Sequence, residues 1–190
     1  YPDGEQGYNI GRMMSFLGGL DYNIPGQTIN RLCGSSMQSI LSAHANIAAG
    51  LGELYLCGGI ESMSRVKRRG FNWSPNPLLE ASHPEAYVNM GITAENVAEK
   101  FQVTRDEQDK FAFNSQEKAL KAQKDGKFKD EIINFKIKSK KAELNFEKDE
   151  HPREGINLDA LSRLKPVFKK DGTVTAGNAS GINDGAAAVT

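Results

Sequence analysis

Cysteine, net charge and long apolar runs are all scarce in this sequence of 190 residues. Its two cysteines, Cys33 and Cys57, form neither a disulfide framework nor a zinc-ligand pattern, which favours a reducing compartment. The formal net charge is zero, so nothing general favours nucleic acid or an acidic membrane surface as a partner. No apolar run approaches the roughly 18–20 residues of a membrane-spanning helix. The sequence opens at Tyr1 without a methionine, so no preceding targeting segment can be identified.

Local patterns in the chain predict both helices and strands, and 38% hydrophobic residues make a core possible. Helical spacing and capping signals predict helices over residues 6–17, 37–49, 93–101, 104–124 and 158–164. Extended or apolar runs predict strands over residues 28–30, 54–57 and 132–137. The order from 28 to 57 predicts a right-handed crossover in a mostly parallel sheet. The lysine-rich stretch that runs to residue 148 is predicted to be a mobile loop.

The stretch around Cys33 has the residue types of a nucleophile site. An extended approach leads to the cysteine, two small residues follow, and a helix-forming run begins at Met37. A thiol at a helix N-terminus faces unpaired backbone N–H groups and the positive end of the helix dipole, which favour the nucleophilic thiolate. A small, buried, apolar cysteine fits the same spacing equally well. The residues alone leave both alternatives open.

Three other features near this stretch allow more than one interpretation. His44 shares a helix face with Cys33 but lies roughly 16 Å along the helix, so it is favoured as a core or interface residue rather than a general base. Cys57 is predicted to be a core residue. The basic cluster at residues 65–69 is either a solvated face or a surface that attracts a polyphosphate.

Four ordered motifs resemble those of the thiolases, especially the degradative 3-ketoacyl-CoA thiolases. They are NRLCGSSMQ at residues 30–38, GGIESMS at 58–64, MGITAE at 90–95 and GTVTAGNASGINDG at 172–185. The resemblance implies an α/β chain with part of the thiolase-like layered α-β-α-β-α fold. It divides the chain into N-terminal core (1–64), a CoA-binding loop domain (65–170) and a return to the core (171–190). It also implies that a first strand and a C-terminal half, with the histidine base and a second cysteine, lie outside this chain, and that the fragment alone is inactive.

The resemblance assigns a reaction and its residues. In the family, a cysteine thiolate cleaves a 3-ketoacyl-CoA, releases acetyl-CoA, and passes the shortened acyl group to a second CoA. Cys33 matches that nucleophile, and the small residues Gly34, Ser35 and Ser36 would let backbone N–H groups approach the acyl oxygen, permit the tight turn before the helix, or do both. Positions that match CoA or acyl contacts are Met90, Arg153, Phe168, Ala176, Ser180 and Gly181. The alternatives are a surface charge for Arg153 and a core aromatic residue for Phe168.

The resemblance also bears on partners and on rival functions. It implies CoA and acyl-CoA as substrates, no permanently bound cofactor, no metal, and a homodimer or dimer of dimers, with a β-oxidation complex as a compatible assembly. It is compatible with a bacterial cytoplasm or with a mitochondrial or peroxisomal location. Asn89 replaces a histidine of the biosynthetic thiolases, which favours a degradative enzyme. The alternatives are a biosynthetic thiolase that forms acetoacetyl-CoA, a related ketoacyl synthase, and a non-catalytic acyl-CoA or lipid carrier.

Overall fold

The computed structural model describes residues 6–66, 70–138 and 143–190. In chain order, they form α1 (Ile10–Leu17), α2 (Ser35–Ala48), β1 (Cys57–Glu61), α3 (Pro77–Ser82), a 3-10 helix (Pro84–Tyr87), α4 (Met90–Phe101), α5 (Arg105–Lys124), β2 (Phe135–Lys138), β3 (Glu143–Phe146), α6 (Leu158–Ser162) and β4 (Gly185–Val189). Two compact units hold these elements. The first unit contains the described residues of Tyr1–Asn76 and Ile182–Thr190, and the second is Pro77–Gly181. Among the described residues, no helix has the length and apolar character needed to cross a membrane.

Helix α1 begins later than its apolar spacing predicts. Gly7 and Tyr8 have left-handed backbones, with φ of 80° and 68°, so the helix cannot extend back to residue 6. Asn9 caps the first turn instead, because its side chain accepts a 3.2 Å hydrogen bond from the Arg12 N–H. The end is as predicted, since Gly18 caps the helix and Gly19 is left-handed at φ 69°.

No strand forms at residues 28–30, contrary to the prediction, and this segment lies against the start of α1. The Thr28 hydroxyl donates to Asn9 Oδ1 at 2.7 Å and accepts from the Gly11 N–H at 3.2 Å. Asn9 Nδ2 donates to the Gly26 carbonyl at 2.8 Å. These contacts engage the Thr28 side chain and the Gly26 carbonyl, and the chain reaches Cys33 through an irregular segment.

Strand β1 pairs with β4, and the pair is antiparallel, with Cys57 opposite Val189 and Glu61 opposite Gly185. The strand predicted at residues 54–57 exists but begins at Cys57 and runs to Glu61. The predicted parallel crossover is not formed, because residues 28–30 make no strand and the partner of β1 is the antiparallel β4. Helix α2 packs on β1, and Cys57 Sγ lies 3.6 Å from the Ser39 carbonyl. Cys57 is thus half-buried at the helix–strand contact, not in a core as predicted.

The two longest helices of the second unit have strong caps. Asn89 accepts a 3.0 Å hydrogen bond from the Ile92 N–H, so α4 begins at Met90, three residues before the prediction. The capping box predicted for α5 is present, with Thr104 and Glu107 bonded reciprocally. The predicted stop after α5 is also present, since Gly126 is left-handed at φ 68°.

Strands β2 and β3 form an antiparallel pair with Phe135 opposite Phe146. The strand predicted at 132–137 exists but begins at Phe135. The prediction of a mobile loop to residue 148 is wrong for β3, whose backbone pairs with β2. Residues 139–142 of that prediction, and 67–69 of the basic cluster, lie outside the described residues.

The most deeply buried groups of the second unit are partly polar. Glu95, Asp109 and Thr175 are buried together with the apolar side chains Ala98, Leu161 and Val174. In the first unit, by contrast, large apolar residues next to β1 are exposed, such as Leu54 at 80% and Leu56 at 62%. Each buried carboxylate requires hydrogen bonds, and those of Glu95 and Asp109 connect their helices to residues 173–178.

Candidate active site

Cys33 lies in a tight turn directly before α2, and its side chain is exposed. Leu32 is left-handed at φ 48°, which reverses the backbone into the helix. The turn is closed by a hydrogen bond from the Gly34 N–H to the Arg31 carbonyl (3.1 Å) and by one from the Ser35 N–H to the Leu32 carbonyl (3.0 Å). The interpretation of Cys33 as a small buried cysteine is therefore wrong, and the thiol is accessible.

The backbone amides that follow Cys33 are partly engaged by the turn itself. The N–H groups of Gly34 and Ser35 are already used in closing the turn. In the described part of the chain, those of Ser36 and Met37 have no acceptor, and the N-cap Gly34 offers no side-chain bond. Free N–H groups in the first turn of a helix attract negative charge. The unpaired amides that follow Cys33 in the described part of the chain are thus those of Ser36 and Met37.

His44 is exposed on α2 rather than buried in a core. It lies 11 residues beyond Cys33 along the chain, and the helix between them is regular. Its position gives no support to a general-base role within this chain.

A compact turn at residues 173–179 carries the predicted CoA-contacting residues Ala176, Ser180 and Gly181 on or directly after it. The Ala179 N–H closes it by donating to the Thr175 carbonyl at 3.1 Å. Asn178 holds the turn from inside: its Oδ1 accepts from the Thr175 N–H at 2.8 Å, and its Nδ2 donates to the Thr173 carbonyl at 3.0 Å. Thr175 is fully buried, whereas Ala176, Ser180 and Gly181 are exposed and available to a ligand.

Glu95 of α4 accepts the backbone of this turn. Its carboxylate receives hydrogen bonds from the N–H of Thr173 (2.9 Å), the N–H of Val174 (2.8 Å) and the hydroxyl of Thr173 (3.0 Å). Burial alone would raise the pKa of Glu95. The bonds from Val174 and Thr173, with the nearby charge of Lys169, outweigh that effect and hold the pKa below its ordinary value.

The lowered pKa of Glu95 predicts acid-sensitive stability. The carboxylate stabilises the fold fully above its ordinary pKa near 4.5, and the contribution is lost as the pH falls through the lowered value. We expect the free energy of unfolding to fall more steeply below pH 4.5 in the natural sequence than in Glu95→Gln, which gains no proton there. Urea unfolding at a series of pH values measures this. Parallel curves for the two proteins would contradict the prediction.

The remaining predicted residues lie elsewhere in the second unit. Met90 opens α4 and is 70% exposed, and the Phe168 ring packs directly against Gly91, the next residue of the helix. Phe168 is 38% exposed, so it is not a buried core aromatic. Arg153 is exposed, and its backbone N–H donates to Gln116 Oε1 on α5 at 3.0 Å.

The structure thus places Phe168 against Gly91, the residue after Met90, and places Ala176, Ser180 and Gly181 on or directly after one turn. Cys33 belongs to the first unit and all the others to the second. Sequence reasoning missed Glu95, Asp109 and Asn178, which hold the 173–179 turn; the only signal was that two of them lie within the quoted motifs. Among the described residues, no group of His, Cys, Asp and Glu could hold a metal ion.

Comparison with known proteins places this arrangement in a family. The family model described as "Thiolase, N-terminal domain" matches residues 2–190. The chain belongs to the thiolase family. Its fold is accordingly that of the thiolase N-terminal domain, and the family uses CoA substrates without permanent cofactors.

Individual thiolases resemble the chain along nearly its whole length. A probable acetyl-CoA acyltransferase of Staphylococcus aureus (strain COL) is 44% identical over 195 residues, covering 96% of the chain and 50% of the relative. A 3-ketoacyl-CoA thiolase of Bacillus subtilis (strain 168) is 44% identical over 197 residues, which cover 99% of the chain and 50% of the relative. This thiolase chain therefore spans about half the length of the curated relatives it matches.

Solved thiolase structures agree with the fold of this chain. The crystal structure of human mitochondrial 3-ketoacyl-CoA thiolase has a TM-score of 0.79 at 39% identity, covering 99% of the chain and 50% of that structure. The structure of an acetyl-CoA acetyltransferase from Syntrophomonas wolfei has a TM-score of 0.81 at 37% identity, and the match covers 96% of the chain and 49% of that structure. One of these structures is named as a 3-ketoacyl-CoA thiolase and the other as an acetyl-CoA acetyltransferase. Similarity to both therefore does not separate the degradative from the biosynthetic branch of the family.

Proposed function

We propose that this thiolase chain carries the acyl-accepting half of an acetyl-CoA C-acyltransferase, with Cys33 as the nucleophile. The observation that carries the proposal is an exposed thiol directly before α2, beside two unoccupied helix N–H groups, those of Ser36 and Met37. The Cys33 thiolate attacks the ketone carbonyl of a 3-ketoacyl-CoA, and the bond between that carbonyl and the α-carbon then breaks. The shortened acyl group stays on sulfur as a thioester, and the electron pair leaves with the α-carbon as the enolate of acetyl-CoA, which takes up a proton to become acetyl-CoA. The two amides stabilise the negative oxygen that forms during attack, at about 3–4 kcal/mol for one well-placed donor.

In this proposal the second unit binds CoA. Ser180 and Gly181, with Ala176 beside them, contact the pantetheine arm, and their exposed position after a rigid turn suits that role. Phe168 lines the CoA channel, Met90 borders the acyl pocket, and Arg153 lies near the nucleotide end. We retain the division into core (1–64), loop domain (65–170) and returning core (171–190), and a homodimer, as parts of the same proposal.

The degradative direction is the finer part of the proposal. Asn89 stands where the biosynthetic thiolases have a histidine, and here its side chain caps α4 by accepting from the Ile92 N–H. An asparagine committed to a helix cap lacks the imidazole that the short-chain site uses at this position. The proposed substrates are therefore 3-ketoacyl-CoA esters of broader chain length than acetoacetyl-CoA.

Acyl transfer to Cys33 is the direct test. The protein at its natural length and the 190-residue chain are each incubated with acetyl-CoA, and intact mass and peptide mapping locate any acetyl group. We expect an adduct on Cys33, because the thiolate displaces the CoA thiolate from the thioester carbonyl. Cys33→Ala is the negative control, and Cys57→Ala should still be labelled. An unlabelled Cys33 in the natural-length protein would contradict the proposal and favour a non-catalytic carrier.

A further inference from the structure

Two buried carboxylates from different helices converge on the turn at residues 173–179. We propose that Glu95 on α4 and Asp109 on α5 are positioning residues that set the affinity for CoA by fixing this turn. The inference rests on the proposed function, in which Ala176, Ser180 and Gly181 contact the pantetheine arm. It concerns residues that touch the turn and not the ligand.

Glu95 holds the beginning of the turn. The side chain is 3% exposed, and both of its oxygens accept hydrogen bonds from Thr173, while one also accepts from the Val174 N–H. Gln108 of α5 donates to the Thr173 hydroxyl at 2.9 Å from the other side. A buried carboxylate with several short bonds to consecutive backbone groups defines the path of that backbone closely.

Asp109 holds the end of the turn through Asn178. Asp109 is 3% exposed, and its Oδ1 accepts from Asn178 Nδ2 at 2.9 Å. Its other oxygen accepts from Arg105 Nε at 2.8 Å, and the same guanidinium donates to the carbonyls of Leu161 and Leu164. The whole amide group of Asn178 is thereby engaged, because Nδ2 donates to Asp109 and to the Thr173 carbonyl while Oδ1 accepts from the Thr175 N–H.

The packing of the turn separates a fixed side from a ligand side. Thr175 is fully buried, and a Cβ on Gly177 would lie 2.5 Å from Leu161 Cδ2, so the turn is pressed against α6. Ala176 and Ser180 are exposed. A turn fixed before the ligand arrives loses little conformational entropy on binding, so the two carboxylates raise affinity without contacting CoA.

The test compares variants of one helix in the protein at its natural length. Glu95→Ala removes every carboxylate bond to the turn, and Glu95→Gln keeps one acceptor oxygen. Glu99→Gln is the matched control, because Glu99 lies one turn further along α4 and pairs with Lys169 on the surface at 2.8 Å. The measurements are the KM for CoA, kcat at saturating CoA, the Kd for CoA by calorimetry, and hydrogen exchange of the amides at residues 172–181.

We expect Glu95→Ala to raise both the KM and the Kd for CoA by about tenfold or more, with kcat within a few-fold of normal. Glu95→Gln should fall between Glu95→Ala and the natural protein, Glu99→Gln should match the natural protein, and faster exchange should be confined to the turn. A purely structural role would lower the active fraction, so the apparent kcat would fall while KM stayed constant. That result would overturn the inference.

Two further outcomes separate this inference from the proposed function. If Glu95→Ala fails to fold, the variant Thr173→Val is measured in its place. This change removes only the hydroxyl that lies between Glu95 and Gln108. An unchanged Kd for CoA in Thr173→Val would then overturn the inference. If the natural protein binds CoA but never acylates Cys33, the proposed function fails, and the Kd values alone decide the positioning role. If the natural protein binds no CoA, both are overturned.

Discussion

Replacing Cys33 with serine in the protein at its natural length is expected to lower the rate of thiolysis at least about a thousandfold. The reason is that an alcohol ionises far less readily than a thiol, so the variant has no nucleophile comparable with a thiolate. The Kd for CoA should change little, because the residues proposed to contact CoA belong to the second unit. A thiolysis assay and calorimetry measure the two quantities.

The other cysteine supplies the control for this prediction. Cys57 Sγ lies 3.6 Å from the Ser39 carbonyl, and a serine hydroxyl can donate to the same oxygen. Cys57→Ser should therefore retain most of the thiolysis rate. Retained thiolysis in Cys33→Ser, or equal losses in both variants, would refute the assignment of the nucleophile.

The largest expected effect on stability comes from Gly26→Ala. A Cβ on Gly26 would lie 2.5 Å from the Arg12 Cα and 2.6 Å from the Gly11 carbonyl carbon, and both are backbone atoms of α1. Backbone cannot move aside as a flexible side chain can, so the segment that hydrogen-bonds to Asn9 must separate from the helix. We expect a loss of about 3 kcal/mol in the free energy of unfolding. Urea unfolding of the 190-residue chain measures the loss.

A second glycine of the same unit gives the comparison. At Gly185, on β4, a Cβ would meet no atom within 4 Å, and the backbone there is not left-handed. Gly185→Ala should change the free energy of unfolding by less than about 0.5 kcal/mol. Similar losses at both positions would show that the contact between Gly26 and α1 contributes little.

Local signals in the sequence predicted the helices well. The capping box of Thr104 and Glu107, the stop at Gly126 and the end of α1 at Gly18 are all visible as residue types at fixed spacing. The delayed start of α1 was not visible, because nothing in the letters shows that Tyr8 adopts a left-handed backbone. The hydrogen bonds and caps of a helix join residues that are at most about four positions apart, so the residue types in a short stretch of sequence predict them.

Strands and site contacts depend on partners far along the chain, and there the sequence was a poor guide. Residues 28–30 have an extended pattern, but no strand forms there, and the contact of the Thr28 hydroxyl with Asn9, 19 positions earlier, was not visible in the sequence. The thiol position of Cys33 could be predicted from its motif. The loss of the Gly34 and Ser35 amides to the turn could not, since it follows from the φ angle of Leu32. Glu95 resembles any surface glutamate of a helix, because its partner Thr173 is 78 residues away.

The pairing of β1 with β4 also has a consequence for the time course of biosynthesis. The whole second unit lies between these two strands in the sequence. The hydrogen bond from the Ser64 N–H to Asp184 Oδ1 likewise joins residues 120 positions apart. At ordinary rates of translation, β1 would wait on the order of ten seconds for its partner strand to be made. The second unit, whose contacts close within its own continuous stretch, can fold on the ribosome during that interval. Exposed strand edges are sites of aggregation, so the nascent first unit is the part of this chain that most needs a chaperone.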